Sequence, residues 1–281
     1  MSKDLSGLVV AILTPFADND RIDEVMFVKH LEFLAEHGVT KILVGGTTGE
    51  FFSLSGQERQ ELFQIARKNF SGKLFYHAGS DSLIETQQQC IWAQDSGADA
   101  VVALTPYYLA DIAKEGIVDY FNALSDSVKV PFILYNFPKH TNNAITADML
   151  AGIDHFGIKD SSRDLELIKA TEHYYVGGDT KILQTYRAGG FGFVSGRVNF
   201  IPEPYVAIEN ALAAGDANAA EQLQEKITKL SEAMGGGNSI AKFKYAMSIR
   251  CKGYPSGVRL PLKALAVEEA LAAKKLVNSC V

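Results

Sequence analysis

Cysteine is scarce in this chain of 281 residues. Cys90, Cys251 and Cys280 are odd in number and show no CxxC spacing, so neither a disulfide framework nor a structural zinc site is expected. The six histidines, His30, His37, His77, His140, His155 and His173, contain no HExxH and no ligand pair at a strand end. Only His77 and His140 are placed near a strand mouth, and no metal is expected. No apolar run approaches the roughly 20 residues needed to span a bilayer. Met1-Ser2-Lys3-Asp4-Leu5 runs straight into a strand-like segment without a signal peptide, so a cytoplasmic address is expected. Charge of one sign is also lacking. The net charge is −6, with acids and bases interleaved along the chain. A polyanion-binding surface is therefore not expected, and the expected partner is a small molecule rather than nucleic acid or membrane. No repeat or low-complexity segment stands out.

What is present is alternation. Short apolar runs begin near Val9, Ile42, Leu74, Val101, Phe132, Phe156, Tyr174 and Phe193, with stretches of helical periodicity between them. Asp23 to His37 puts Phe27, Leu31 and Leu34 on one face after an Asp23 cap. Ser55 to Phe70 opens with a capping-box pattern, Ser55 to Glu58. Thr146 to Ala151, Asp164 to Thr171 and Pro202 to Ala214 read as later, shorter helices. Continuous apolar runs joined by helices imply parallel strands buried on both faces. Eight of them favour an α/β fold of the (β/α)8 TIM-barrel type over an open sheet. An open sheet would also call for a glycine-rich dinucleotide loop after the first strand, and Thr14-Pro15-Phe16 is nothing like one. The expected organisation is a barrel over residues 1–214. A C-terminal extension of three helices follows over 215–281, near 216–233, 238–252 and 261–278, broken by Gly235-Gly236-Gly237 and by Gly253-Tyr254-Pro255-Ser256-Gly257. Gly189-Gly190-Phe191-Gly192 reads as a barrel turn rather than a phosphate loop.

Barrel enzymes build their sites at the carboxyl ends of the strands. Here those ends carry Thr14, Gly46-Thr47-Thr48-Gly49-Glu50, Ala78-Gly79-Ser80, Thr105-Pro106-Tyr107-Tyr108, Tyr135-Asn136, Lys159-Asp160, Gly178-Asp179 and Ser195-Gly196-Arg197. Hydroxyls, small residues and a single lysine make a small polar pocket. Lys159 follows Phe156-Gly157-Ile158 at the end of a buried strand. Burial lowers an amine's pKa and leaves a neutral nucleophile able to attack a ketone. The bland alternative is a strand-end lysine paired with Asp160 or reaching to solvent. Tyr135 ends the preceding strand, where its phenol could shuttle protons or simply fill core. The glycine-rich turn carrying Thr47 and Thr48 suits a carboxylate, although such turns are common.

Taken together, Thr14-Pro15-Phe16, Gly46-Thr47-Thr48-Gly49-Glu50, Thr105-Pro106-Tyr107-Tyr108, Tyr135-Asn136-Phe137-Pro138 and Gly157-Ile158-Lys159-Asp160-Ser161 resemble the dihydrodipicolinate synthase and N-acetylneuraminate lyase family of pyruvate-dependent class I aldolases. The similarity runs from Gly7 to about Gly257. The resemblance implies that Lys159 is the Schiff-base lysine and Tyr135 the general acid and base. Thr47 would relay protons. Thr48, with the backbone amides around Gly46, would hold the pyruvate carboxylate. Tyr108 would match a tyrosine lent across a tight dimer interface, within a homotetramer built as a dimer of dimers. No cofactor is implied beyond the covalent lysine adduct.

One departure bears on substrate. Synthases of the family carry an arginine two residues after the proline of Tyr-Asn-x-Pro, where it grips the carboxylate of the aldehyde substrate; this chain has His140. A histidine is not a bidentate carboxylate fork. The pattern, with Thr141 following, is more similar to the 2-keto-3-deoxy sugar acid aldolases. Arg197 stands where relatives carry a small or hydroxyl residue, either to meet a second anionic group or as a surface arginine. The expected activity is reversible cleavage of such a sugar acid to pyruvate and an aldehyde. The alternatives are a dihydrodipicolinate synthase using aspartate semialdehyde, a Schiff-base dehydratase, or a silent paralogue that only binds a 2-oxo acid.

Overall fold

The structure is a computed structural model that describes residues 2–235 and 239–280. Eight parallel strands, β1 (Gly7–Ala11), β2 (Lys41–Val44), β3 (Lys73–His77), β4 (Ala100–Leu104), β5 (Phe132–Asn136), β6 (Gly157–Asp160), β7 (Tyr174–Gly177) and β8 (Gly192–Ser195), close into a barrel in sequence order. Almost every strand residue is buried. That is why the strands read as unbroken apolar runs rather than as alternation.

Two compact units divide the chain. The first comprises residues up to Gly7 with Lys73–Val194, and the second Leu8–Gly72 with the residues from Ser195 on. In the first, the helices α3 (Leu83–Asp95), α4 (Lys114–Ser125), α5 (Pro138–Thr141), α6 (Ala147–Leu150) and α7 (Ile182–Arg187) alternate with the strands. Its core includes Phe75, Tyr76, Phe121, Leu134, Tyr175 and Phe193. In the second lie α1 (Glu24–Glu36), α2 (Gly56–Asn69), α8 (Glu203–Ala214), α9 (Ala217–Ala233), α10 (Ser239–Arg250) and α11 (Val267–Cys280), around Phe27, Leu31, Phe63, Phe200 and Tyr205.

The helix starts follow their caps. The Asp23 carboxylate accepts from the Met26 amide, and Ser55 and Glu58 form the reciprocal capping box. Two segments differ from expectation. Leu165–Ala170 is a 3-10 helix rather than an α-helix. The last helix begins at Val267, not near residue 261, because the chain before it is tied elsewhere. The Leu260 carbonyl accepts from Ser53 Oγ, and Arg259 bonds to Ser53, Glu50 and Glu58. Of the expected break at Gly235-Gly236-Gly237, Gly236 and Gly237 lie outside the described residues; α9 ends at Ala233 with Met234 as its cap. Cys90 and Cys251 are free thiols, and the side chain of Cys280 lies outside the described residues. Among the described residues, no helix is long and apolar enough to cross a membrane, and no group of three His, Cys, Asp or Glu side chains could hold a metal ion.

Candidate active site

Lys159 is the penultimate residue of β6, at the end of the strand, and only 7% of it is exposed. In the parallel ladder Tyr135 of β5 pairs directly with Lys159, so their side chains project to the same face. Lys159 Nζ stands 3.2 Å from the centroid of the Tyr135 ring. Burial pulls the lysine pKa below its ordinary value. Tyr135, by charge and hydrogen bond, and Asp160, by charge, act in the opposite direction without cancelling it. A buried ammonium loses hydration that this site only partly replaces. The amine is therefore biased towards its neutral, nucleophilic form.

Pairing of Lys159 with Asp160 is not what the structure shows. Consecutive strand residues face opposite sides, and the Asp160 carboxylate is occupied on its own side. It accepts from Asn136 Nδ2 at 2.8 Å, from the Ser162 amide at 3.0 Å, and from the Ser162 and Tyr174 hydroxyls at 2.8 Å each. Asn136 Oδ1 in turn accepts from the Ile145 amide. This network ties together β5, β6, β7 and the segment leading into α6. Asp160 is thus the hub of a hydrogen-bond network rather than the partner of the lysine.

Other aromatic rings steady the phenol. Phe137 stacks on Tyr135 with ring centres 5.8 Å apart, and the buried His77 meets it edge-on at 6.1 Å. His140 sits exposed on α5, edge-on to Phe137 at 4.2 Å. Partial burial and the neighbouring Lys139 charge lower its pKa. Tyr108 is 84% exposed, in the segment after β4, where Asp81 accepts the amides of both Tyr107 and Tyr108.

In the second unit, Gly46 is buried and Thr47 and Thr48 are half-buried in a tight turn after β2. Within it the Gly49 and Phe51 amides donate to the Gly46 carbonyl and the Glu50 amide to the Thr47 carbonyl. Those three amides serve the turn itself. Thr14 Oγ1 donates to the Gly49 carbonyl. Glu50 closes the turn in the left-handed conformation at φ 60°. Arg197 donates to the Ser231 carbonyl and stacks over the Phe243 ring, so its guanidinium is engaged by α9 and α10. The structure thus brings Lys159 and Tyr135 together. It places His140 on the same unit two residues past Pro138, and sets Gly46, Thr47, Thr48 and Arg197 in the other unit.

Lys244 and Arg259 are polar residues the sequence reading missed. Lys244 interrupts the apolar face formed by Ala241, Phe243 and Met247 of α10, and that interruption was the available signal.

The family profile described as the dihydrodipicolinate synthetase family matches residues 4–280, more of the chain than the sequence reading allowed. A 4-hydroxy-tetrahydrodipicolinate synthase of Ehrlichia canis is 32% identical, covering 99% of this chain and 98% of that protein. A dihydrodipicolinate synthase structure from Bacillus anthracis superposes with a TM-score of 0.89 at 28% identity, covering 98% of each chain. A chloride-inhibited dihydrodipicolinate synthase from Acinetobacter baumannii, complexed with pyruvate, gives 0.88 at 27% identity, covering 98% of this chain and 99% of that one. The chain belongs to the dihydrodipicolinate synthetase family and is an enzyme of its aldolase-type lyase class.

Proposed function

We propose that the chain is a pyruvate-dependent class I aldolase that reversibly cleaves a 2-oxo acid, with a 2-keto-3-deoxy sugar acid as substrate, into pyruvate and an aldehyde. The observation that carries this reading is the buried Lys159 amine against the Tyr135 ring. A neutral amine adds to the C2 ketone, and loss of water leaves an iminium ion. Tyr135 supplies and removes the protons of these steps. In cleavage it takes the proton of the C4 hydroxyl. The C3–C4 bond breaks, its electron pair passes through C3 to the iminium nitrogen, and the aldehyde departs. Protonation of the enamine at C3 and hydrolysis release pyruvate and restore the lysine. No metal or organic cofactor is needed in this sequence.

In the same reading Thr48 and the backbone around Gly46 take the carboxylate, and Thr47 relays protons. Tyr108 is lent to a second copy within a homotetramer, which its exposure permits. His140 meets the aldehyde half. A near-neutral histidine suits the hydroxyls of a sugar-acid fragment better than a carboxylate. The pyruvate complex of the Acinetobacter baumannii relative supports the 2-oxo acid half. A second reading, condensation of pyruvate with aspartate semialdehyde, is favoured by the name of the Ehrlichia canis relative.

Borohydride reduction in the presence of pyruvate, followed by intact mass, tests the shared chemistry. Adduct formation that vanishes in Lys159→Ala is expected. An unlabelled wild-type chain would leave only a silent binder. A panel of aldehydes, run in both directions with pyruvate detection, then separates the two substrates.

A further inference from the structure

The least expected chemistry in the second unit is a fully buried ion pair behind the threonine turn. Lys244 Nζ of α10 lies 2.5 Å from Glu50 Oε1, and both side chains have no exposure. Lys244 also donates to the Gly257 carbonyl at 2.7 Å and sits 4.0 Å over the Phe16 ring. Glu50 Oε2 accepts from the Arg259 amide at 3.1 Å. The Arg259 guanidinium also lies over the Phe16 ring, at 4.2 Å, and reaches Glu58 and the carbonyls of Ser53 and Asp20.

A buried ion pair is weak evidence of stability in itself, because desolvation opposes the Coulombic gain. Its value is more readily one of position. Glu50 is a non-glycine residue held at a positive φ, a backbone state that a surrounding structure must enforce. Its amide bonds the Thr47 carbonyl, so the strained residue and the proposed proton relay share one turn. Phe243, next to Lys244 in α10, stands close to Gly196. A Cβ on Gly196 would meet Thr48 Oγ1 at 2.7 Å and Phe243 Cε2 at 3.3 Å. Thr48 therefore packs against a bare glycine backbone backed by α10.

We infer that Lys244 is a positioning residue, which through Glu50 fixes the Thr47–Thr48 turn for the carboxylate of the 2-oxo acid. The inference rests on the aldolase reading for its ligand, and on α10 and Glu50 alone for its geometry. Burial draws the Lys244 pKa down to about 8 against the pull of Glu50. The ammonium thus depends on its partner, and removal of either one strands the other.

The test uses full-length Lys244→Met and Glu50→Gln, with Lys242→Met on the same helix as control. Half-saturating pyruvate in borohydride trapping should rise about 10-fold in both variants, the scale of a strong coupling between neighbouring groups. The trapped fraction at saturation should stay near that of the control, and saturated kcat should fall by a smaller factor than half-saturation rises, because Thr47 shares the loosened turn. Deuterium uptake in peptides spanning residues 45–54 should quicken. The double variant should be no worse than Lys244→Met, since the pair acts as one unit. Folded variants with unmoved half-saturation overturn the inference, whatever their exchange, and so does a fall in saturated kcat without a shift in half-saturation. If Lys244→Met does not fold, Glu50→Gln decides, because it keeps the side-chain shape and an acceptor for the Arg259 amide. If the wild type traps no pyruvate, the aldolase reading fails, and the exchange measurement alone then supports or overturns the brace.

Discussion

Tyr135 and Lys159 face one another across adjacent parallel strands, in register, with the lysine nitrogen 3.2 Å from the centre of the phenol ring. The pairing fixes two chemically different groups on one rigid platform, and neither depends on a loop for its position. Strand-borne groups hold their relative geometry more closely than loop-borne ones.

Replacement of the amine should separate activity from stability. Lys159→Met is expected to abolish both turnover and borohydride trapping while raising Tm at neutral pH. The sign follows from the lowered pKa. A charged Lys159 costs the folded state most at and below its folded pKa. That cost fades as pH rises from there towards the ordinary lysine value of 10.5. The gain in Tm should therefore shrink over the same window. A Tm difference that grows with pH would contradict the buried, destabilised amine.

Tyr135→Phe should slow saturated turnover by about 10² to 10⁴-fold, the scale for loss of a general acid and base. It should also move the pH midpoint of trapping downward. The phenol raises the Lys159 pKa by charge and hydrogen bond, and without it the amine loses its proton at lower pH. Near-normal turnover in this variant would refute the role.

Asp160 offers a contrast between support and chemistry. Asp160→Ala would strand the buried Asn136 amide and the Tyr174 hydroxyl. Each orphaned donor costs about 1–3 kcal/mol, so a loss of about 3 kcal/mol or more is expected in urea unfolding. Tyr174→Phe removes one bond without stranding a charge on the tyrosine side, and should cost about 1 kcal/mol. If Asp160→Ala unfolds at the wild-type midpoint, the network does not hold β5, β6 and β7 together.

The strands and the lysine were legible in the sequence for a physical reason. A parallel strand buried on both faces leaves an unbroken apolar run, and a lysine within one, as at 159, contradicts its surroundings. Glu50 and Lys244 were not legible as partners, because periodicity describes a helix face and not which distant residue meets it. The same limit hid Arg259, whose bonds hold the chain before α11 and delay that helix to Val267. The hydrogen bonds of Asp160 were not legible because its partners Asn136 and Tyr174 lie on neighbouring strands, while the adjacent Lys159 is sent by the pleat to the opposite face.

The proposed substrate choice rests on residue 140. Partial burial and Lys139 hold the His140 pKa below its ordinary 6.5, so at pH 7 the ring is mostly neutral and gives a carboxylate no charge to pair with. His140→Arg would add a permanent bidentate donor at the same place on α5. The ratio of kcat/KM for aspartate semialdehyde over glyceraldehyde should then rise by about 10-fold or more, the scale for a charge-assisted hydrogen bond of about 1.5–3 kcal/mol. In the wild type the same ratio should climb as pH falls below 6.5, because protonation of His140 supplies the charge that the arginine would provide. A ratio that ignores both the substitution and the pH would remove His140 from the recognition of the aldehyde and leave that role to another residue.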